Sequence, residues 1–404
     1  MMNDEAEKTQ PVEFEYEIYE QKFTVPFEYP VYFTRSLFHK DNPLLASVMD
    51  RGQSAHPHRV MMYVDSGVVR ANDWIVPMAV EYFRARKEKF ELVMLPQVIS
   101  GGETAKSGWS EVRHIMTALG DNHMCRQSFV MAVGGGGMLD MVGFAVSLVH
   151  RGLRLIRIPT TVLSQNDAGV GVKNGMNERE TKNFIGSFAP PFAVVNDFDF
   201  LSTLQQKDWV GGIAEAFKVA IIKDADFFSF LTANARALKR RDAPAMEELI
   251  RRCAALHLEH ISTGGDPFEF GSSRPLDFGH WSAHKLETLS DFTMGHGQAV
   301  AVGIALDSFY AAQTGRLSHG EMEGIITGLK ESGLPVWHRL LEKRDADDVL
   351  EIAAGLEQFR EHLGGELTLA MPEGIGRQCE VNHLEMKVIE EGVVFLRSLA
   401  EKQE

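Results

Sequence analysis

Three short stretches carry side chains able to do chemistry in surroundings that do not favour them. Glu215 lies in GGIAEAFKVAII, His280 and His284 lie in DFGHWSAHKLE, and His296 follows in MGHGQAV. All three stretches are apolar and punctuated by glycine, where an unpaired charge is expensive. Lys218 follows Glu215 by one helical turn, on the same face, and His280 and His284 are spaced i, i+4. One carboxylate and two imidazoles suffice to hold zinc and leave a coordination position for a substrate. A single Glu or His is more often a surface or satisfied core residue. Here the coincidence of the three stretches points to a metal, while the spacing leaves open which histidines bind it.

A second group is cationic. Between Pro159-Thr160-Thr161 and Pro190 the chain carries Asp167, Lys173, Lys182 and Asn183, with Arg151 just upstream and glycines at 169, 171, 175 and 186. A solvated lysine-bearing loop would have a similar composition. Apolar strand candidates bound this stretch, however, so its lysines are expected to point at a phosphate or an oxygen-rich substrate. A third feature is the run Gly134-Gly135-Gly136-Gly137, which follows the apolar run Phe129–Val133 and precedes Asp140 and the helix-like GFAVSLVH. Glycines at a strand-to-helix turn let the backbone approach a pyrophosphate at the helix N-terminus. The run departs from the GxGxxG fingerprint, and a packed glycine turn would look the same. Gly101 to Lys106, with Glu103 and Lys106, reads as a segment reaching a ribose or as a surface loop.

The elements that must position these residues change in kind along the chain. Apolar runs at Val60–Val64, Leu92–Leu95, Phe129–Val133, Leu155–Ile158 and Ala193–Val195 read as buried strands. Helical patterns at Trp74–Lys87 and Ser110–Leu119 fall between them, which implies a parallel sheet with crossover helices. Residues 12–34 alternate apolar and polar side chains and predict a hairpin or meander. From about Leu201 helical spacing takes over, through Val210–Ile222, Ala225–Leu238, Ala245–Ile261, Ala283–Leu289, Gln298–Thr314 and Gly320–Ser332; a strand signal returns at Glu366–Met371. The expected organisation is an α/β nucleotide-binding domain over residues 1–205 and a mainly α-helical metal-binding domain over 206–404.

Bulk properties narrow the function classes. A chain of 404 residues is long for one domain, and 44% hydrophobic with 24% charged residues fits a globular protein. A formal charge of −15 opposes nonspecific nucleic-acid binding but permits a locally basic pocket. No apolar run approaches the roughly 20 residues of a membrane span. The cysteines Cys125, Cys253 and Cys379 form no CxxC pair, so neither a disulfide framework nor a thiolate zinc site is expected, and a cytoplasmic location is.

Eight ordered segments then resemble one family. VGGGGMLDMVGF, the pair Arg151-Gly152, PTTVLSQNDAGVGVK, KNFIGSF, the pair Thr203-Leu204, GGIAEAFK, LDFGHWSAH and HGQAVAVG are similar to the defining segments of dehydroquinate-synthase-like sugar phosphate cyclases, from about residue 60 to residue 375. The resemblance implies a homodimer with an NAD-binding domain, a helical zinc domain and an active site in the cleft between them. It implies Glu215, His280 and His296 as ligands of Zn2+, or of Co2+ in its place. Asp167, Lys173, Lys182, Asn183, Lys218, Asp277 and His284 would then line the substrate pocket. Arg151 would reach the phosphate, within its own subunit or across the dimer interface. Asp65, Glu103, Lys106, Gly135, Gly136, Asp140, Thr160, Thr161, Thr203 and Leu204 would contact NAD. The implied chemistry is redox-neutral: a secondary alcohol is oxidised transiently with NAD, phosphate is eliminated, the hydride is returned, and ring opening followed by an intramolecular aldol closes a carbocycle.

Departures from dehydroquinate synthase bear on the substrate. That enzyme carries RNLLNFGH before its zinc histidine; this chain has Arg274-Pro275-Leu276-Asp277-Phe278-Gly279-His280, so Asp277 stands where an asparagine helps bind substrate. Glu259 occupies the place of a carboxylate-binding lysine, where an acid would repel a carboxylate. RPLD and FREHLGGEL are instead similar to cyclases of the 2-epi-5-epi-valiolone synthase type, which act on sedoheptulose 7-phosphate, although many of those have proline where this chain has His284. Arg360 or His362 would stand in for the last substrate lysine. The expected substrate is a neutral C7 ketose phosphate. The alternatives are 3-dehydroquinate synthase itself and a polyol dehydrogenase of the glycerol dehydrogenase type.

Overall fold

The computed structural model describes residues 16–401 apart from 180, 265–267, 269–274 and 363–366. Strands β1 (Val31–Thr34), β2 (His58–Asp65), β3 (Phe90–Leu92), β4 (Gln97–Ile99), β5 (Phe129–Gly134) and β6 (Arg154–Pro159) come first. A hairpin of β7 (Lys173–Glu178) and β8 (Thr181–Phe188) follows, then β9 (Ala193–Asp197). The main sheet runs β1-β9-β6-β5-β2-β3, with β4 also paired to β2, and every pairing in it is parallel.

Central parallel strands are covered on both faces, and alternation sends their side chains into two separate cores. Val60, Met62 and Val64 of β2 pack in one core with Phe129, Met131 and Val133 of β5. Met61 and Tyr63 pack in the other with Val130 and Ala132. From Gln206 onward helices dominate, ending with Met386–Glu401, and one hairpin of β10 (Leu369–Pro372) and β11 (Gln378–Val381) interrupts them. The chain is therefore an α/β N-terminal domain with a parallel sheet joined to a mainly helical C-terminal domain, as its periodicities predict.

The helical part is organised around two buried helices, Gln206–Lys223 and His296–Gln313. The second is apolar on all sides, as a helix in the middle of a core must be. Glycines let its neighbours come very close. A Cβ on Gly297 would lie 2.0 Å from the Gly211 carbonyl oxygen, and one on Gly303 would lie 2.0 Å from that of Gly279. These two contacts draw together the three elements that carry Glu215, His280 and His296.

Two expectations need correction. The alternating stretch 12–34 forms no hairpin: only Val31–Thr34 is a strand, 16–30 has no regular structure, and 12–15 lie outside the described residues. Its Tyr16, Tyr19 and Phe23 are at least three-quarters exposed, because alternation stabilises a strand only when a partner edge covers its apolar face. The strand predicted at Leu92–Leu95 ends at Leu92, and Leu95 is exposed. The lysine-bearing stretch, whose local structure the sequence left open, is the hairpin β7–β8, with a register shift between Met176 and Glu178. The cysteines are all unpaired, and among the described residues no helix is long and apolar enough to cross a membrane.

Candidate active site

The nucleotide-side residues gather at the carboxyl ends of the parallel strands. β2 ends at Asp65, β5 at Gly134 and β6 at Pro159, just before Thr160 and Thr161. Strand order reverses between β2 and β5, since β3 and β4 lie beyond β2 while β6 and β9 lie beyond β5. Ligands of open α/β sheets bind in the crevice at such a switch point. Here the crevice is floored by backbone: Gly135 caps the helix Gly136–Leu148 in an extended conformation, and a Cβ on Gly137 would come within 2.7 Å of the Gly102 carbonyl oxygen.

Asp65 caps the helix Ser66–Ala71 by accepting from the Gly67 amide at 2.7 Å. Thr203 bonds Asn72 at 3.0 Å, and the Leu204 carbonyl accepts from Arg241 at 2.7 Å. Thr161 pairs with Ser164 at 2.8 Å, whereas the buried hydroxyl of Thr160 has no partner among the described residues.

An ionic network runs from this crevice into the helical domain. Lys106, almost wholly buried, pairs with Asp140 at 2.8 Å and also donates to Asn183. Glu103 lies 3.8 Å from Lys106 and 4.0 Å from Lys182, and accepts from Asn177 at 2.8 Å. Burial raises the Glu103 carboxyl, but Lys182 and Lys106 outweigh it and the net shift is downward. Lys182 continues the network, donating to Glu287 at 2.8 Å.

The donor atoms of Glu215, His280 and His296 all lie within 4.8 Å of one another. His296 Nε2 stands 3.2 Å and His280 Nε2 3.8 Å from Glu215 Oε1. Each ring holds its other nitrogen on an oxygen: His280 Nδ1 on the Phe278 carbonyl at 3.1 Å, His296 Nδ1 on Glu287 at 3.0 Å. Both therefore carry the proton on Nδ1 and present Nε2 to a common centre, the arrangement of imidazoles that bind metal. Glu215 is wholly buried, and among the described residues neither oxygen makes a hydrogen bond of good geometry, although Lys218 Nζ lies 2.5 Å from Oε2. A buried carboxylate with unused lone pairs beside two oriented imidazoles fits a divalent cation.

The charges around this centre are set by their neighbours. Burial alone would raise Glu215, yet Lys218 and the two imidazoles hold it well below the ordinary range. Burial likewise opposes ionisation of Asp167, but Lys218 at 3.7 Å and His257 at 2.8 Å keep it ionised, with a pKa of about 2. Burial and Lys182 push His296 down, and Glu287 and Glu215 bring it up to about 9, so a cation bound at Nε2 would take the place of a proton shared with Glu215. His284, one turn beyond His280, is driven well below its ordinary value, first by burial and then by His280 and Lys182, and is neutral.

The structure thus brings together Asp167, Lys182, Asn183, Lys218, His284, Glu215, His280 and His296. Asp277 ends a short turn within the electrostatic reach of Lys218 and His280. Lys173 is at the exposed first position of β7, paired in register with Phe188 at the opposite end of the hairpin from Lys182. Arg151 is exposed, follows His150 in a second left-handed conformation (φ 65°), and makes no ion pair among the described residues.

Glu259 is exposed on the helix Ala243–Thr263, where its charge acts on Lys223, so it is not the acidic wall of the pocket that its alignment suggested. The residue of that helix which reaches the site is His257. Arg360 pairs with Glu357 at 2.6 Å on an exposed surface; Arg274 and the side chain of His362 lie outside the described residues. Glu287 and His257 were not among the predicted residues. Glu287 was within reach, since it continues the face of His280 and His284 at i+7; His257, ninety residues from its partner, carries no local signal.

Known proteins share these segments and this fold. The family models of the 3-dehydroquinate synthase N-terminal and C-terminal domains match residues 96–211 and 212–357. The chain belongs to the sugar phosphate cyclase superfamily. Among solved cyclases, the 2-epi-5-epi-valiolone synthase ValA from Streptomyces hygroscopicus subsp. jinggangensis 5008, with NAD+ and Zn2+ bound, is 28% identical over 94% of this chain and 99% of its own, with a TM-score of 0.83. A 2-deoxy-scyllo-inosose synthase complexed with carbaglucose-6-phosphate, NAD+ and Co2+ shares the fold at 23% identity, over 90% of this chain and 95% of its own, with a TM-score of 0.71. The cyclase fold is also that of the NADH-dependent butanol dehydrogenase A from Thermotoga maritima, at 14% identity over 93% and 98% of the two chains and a TM-score of 0.65.

Proposed function

We propose that this chain is a NAD- and zinc-dependent cyclase that converts a ketose phosphate, sedoheptulose 7-phosphate in the first instance, into a cyclitol with loss of phosphate. The observation that carries the reading is the junction of two sites: the Glu215, His280 and His296 donor set is joined through Glu287, Lys182 and Asn183 to the Lys106 and Asp140 pair beside the glycine turn. Glu215, His280 and His296 would hold a metal that would supply Lewis acidity toward a substrate oxygen, and the strand-end crevice would hold NAD, which would supply reversible hydride transfer.

The protein's own groups do the rest. Lys182 and Lys218 stay protonated because buried carboxylates face them, and they offer fixed positive charge to oxyanions and phosphate. Asp167, held ionised, accepts hydrogen bonds from sugar hydroxyls and orients the chain of carbons. His284, neutral and beside the donor set, can take a proton from a hydroxyl. The likeness to a valiolone synthase and the RPLD stretch support the neutral C7 sugar over an acid substrate. The NAD-binding part is assigned to residues 1–205 and the metal-binding part to 206–404, in a homodimer.

The test is phosphate release by enzyme loaded with zinc and NAD, with sedoheptulose 7-phosphate and the seven-carbon acid phosphate of dehydroquinate synthase offered side by side. Release from the sugar with no net NADH is expected. Release from the acid alone would make the protein a divergent 3-dehydroquinate synthase, and NADH accumulation without phosphate a polyol dehydrogenase.

A further inference from the structure

Glu287 has a role that neither the donor set nor the substrate pocket assigns. Its side chain is 3% exposed and bridges two groups from different parts of the molecule. One oxygen accepts from Lys182 of β8 at 2.8 Å, and the other accepts from Nδ1 of His296 at 3.0 Å. Seven residues after His280 and three after His284, it shares their helix face.

His284, Glu287 and His296 also have donor atoms within 4.8 Å of one another, so a second cation could be imagined there. That position is already taken by the Lys182 ammonium, which lies 3.4 Å from His296 Nδ1 as well. The same closeness makes Glu287 necessary. If Nδ1 lost its carboxylate partner, Lys182 would donate to it instead, and the ring proton would move to Nε2, the nitrogen facing Glu215. An imidazole in that tautomer cannot bind a metal through Nε2. His280 runs no such risk, because its Nδ1 is held by a main-chain carbonyl.

We propose that Glu287 is a positioning residue: it fixes the His296 tautomer so that Nε2 is the metal ligand, and in the same contact it sets Lys182 beside that ligand. The inference rests on Glu215, His280 and His296 being the metal-binding set. One metal per chain follows, with Glu287 outside the coordination sphere.

The experiment compares the full-length chain with its Glu287→Gln, Glu287→Ala and Glu215→Ala variants, using zinc competition against a chelator and the visible spectrum of the cobalt-loaded protein. Expected are one metal per wild-type chain, no retained metal in Glu215→Ala, and zinc affinity about 10–100-fold weaker in Glu287→Ala, with Glu287→Gln between that variant and wild type. The cobalt spectrum should change in both Glu287 variants, which a purely structural role would leave alone. Should Glu287→Ala fail to fold, Glu287→Gln decides. Wild-type affinity and spectrum in the folded Glu287 variants would overturn the proposal and leave the donor set standing. Metal retained by Glu215→Ala would remove the donor set itself. Two metals per chain would overturn the proposal by making Glu287 a ligand.

Discussion

The two halves of the site are built from different materials. The floor of the strand-end crevice is made of backbone, with glycines at 134 to 137 and the Asp65 side chain engaged as a helix cap. The centre around Glu215 is made of side chains: carboxylates, ammoniums and imidazoles buried together inside a helical core. Backbone can present amide groups to a phosphate at little electrostatic cost, so that half tolerates an apolar lining. Buried charge is stable only when each group has a partner, so the other half must be solved as a whole network.

The largest effect should come from the side-chain half. Glu215→Ala is expected to lose its metal and to lower turnover by about 10³-fold or more, because Lewis-acid stabilisation is worth several kcal/mol; metal analysis and phosphate release measure it. The contrast between halves is sharpened by two glycines. Gly297→Ala would set a methyl 2.0 Å from the Gly211 carbonyl oxygen, forcing the Glu215 and His296 helices apart. A cost of about 1–3 kcal/mol and weaker metal binding should follow, read by thermal denaturation and metal competition. Gly135→Ala meets only ordinary contact, 3.4 Å to Thr161, at a residue with φ of −77°. It should keep the fold and metal while weakening NAD binding, measured by fluorescence titration. Equal loss of metal in both variants would break the comparison.

How far the sequence disclosed these halves follows from how each is built. The glycine turn was legible because a buried strand, a glycine run and a helix are contiguous. The donor residues were legible as types, while Glu287 required reading the helix face one turn past His284. The β7–β8 hairpin was missed because its turn lacks the usual Asn-Gly signal and β8 alternates weakly between half-buried and exposed. His257 meets Asp167 only through tertiary packing of the helix Ala243–Thr263. The misreading of Glu259 has the same cause, since alignment places a residue in sequence but the helix face decides where it points.

Smaller effects test the rim of the network. His257→Ala should reduce kcat/KM by about tenfold, the value of one hydrogen bond to a charged group, with metal content unchanged. Loss of metal in that variant would mean that Asp167 belongs to the metal centre rather than to substrate binding.

The smallest expected change concerns Asp307, which accepts from Trp281 at 2.8 Å and from the Gly279 amide at 3.0 Å, just before His280. Burial outweighs those two bonds and raises it from 3.8 to about 7. Between those values the folded chain keeps a proton that the unfolded chain has lost, so this contribution is full below about pH 4 and disappears as pH rises through 7. Asp307→Asn cannot titrate, and the difference between its melting temperature and that of wild type should shift in its favour across that window.

One contact described above also bears on how the protein comes to be loaded. Lys218 sits 2.5 Å from Glu215 and 3.7 Å from Asp167, a built-in counter-ion for the carboxylate that a metal would share. Small zinc domains whose ligands have no such substitute are unfolded until the ion arrives. With Lys218 in that place, folding and loading are expected to be separate events. The chain can leave the ribosome, fold and wait, and a chelator should strip the metal without changing the far-ultraviolet circular dichroism. Which divalent ion ends up in the site is then decided by supply in the cell as much as by the fold, and exchange of one ion for another needs no refolding.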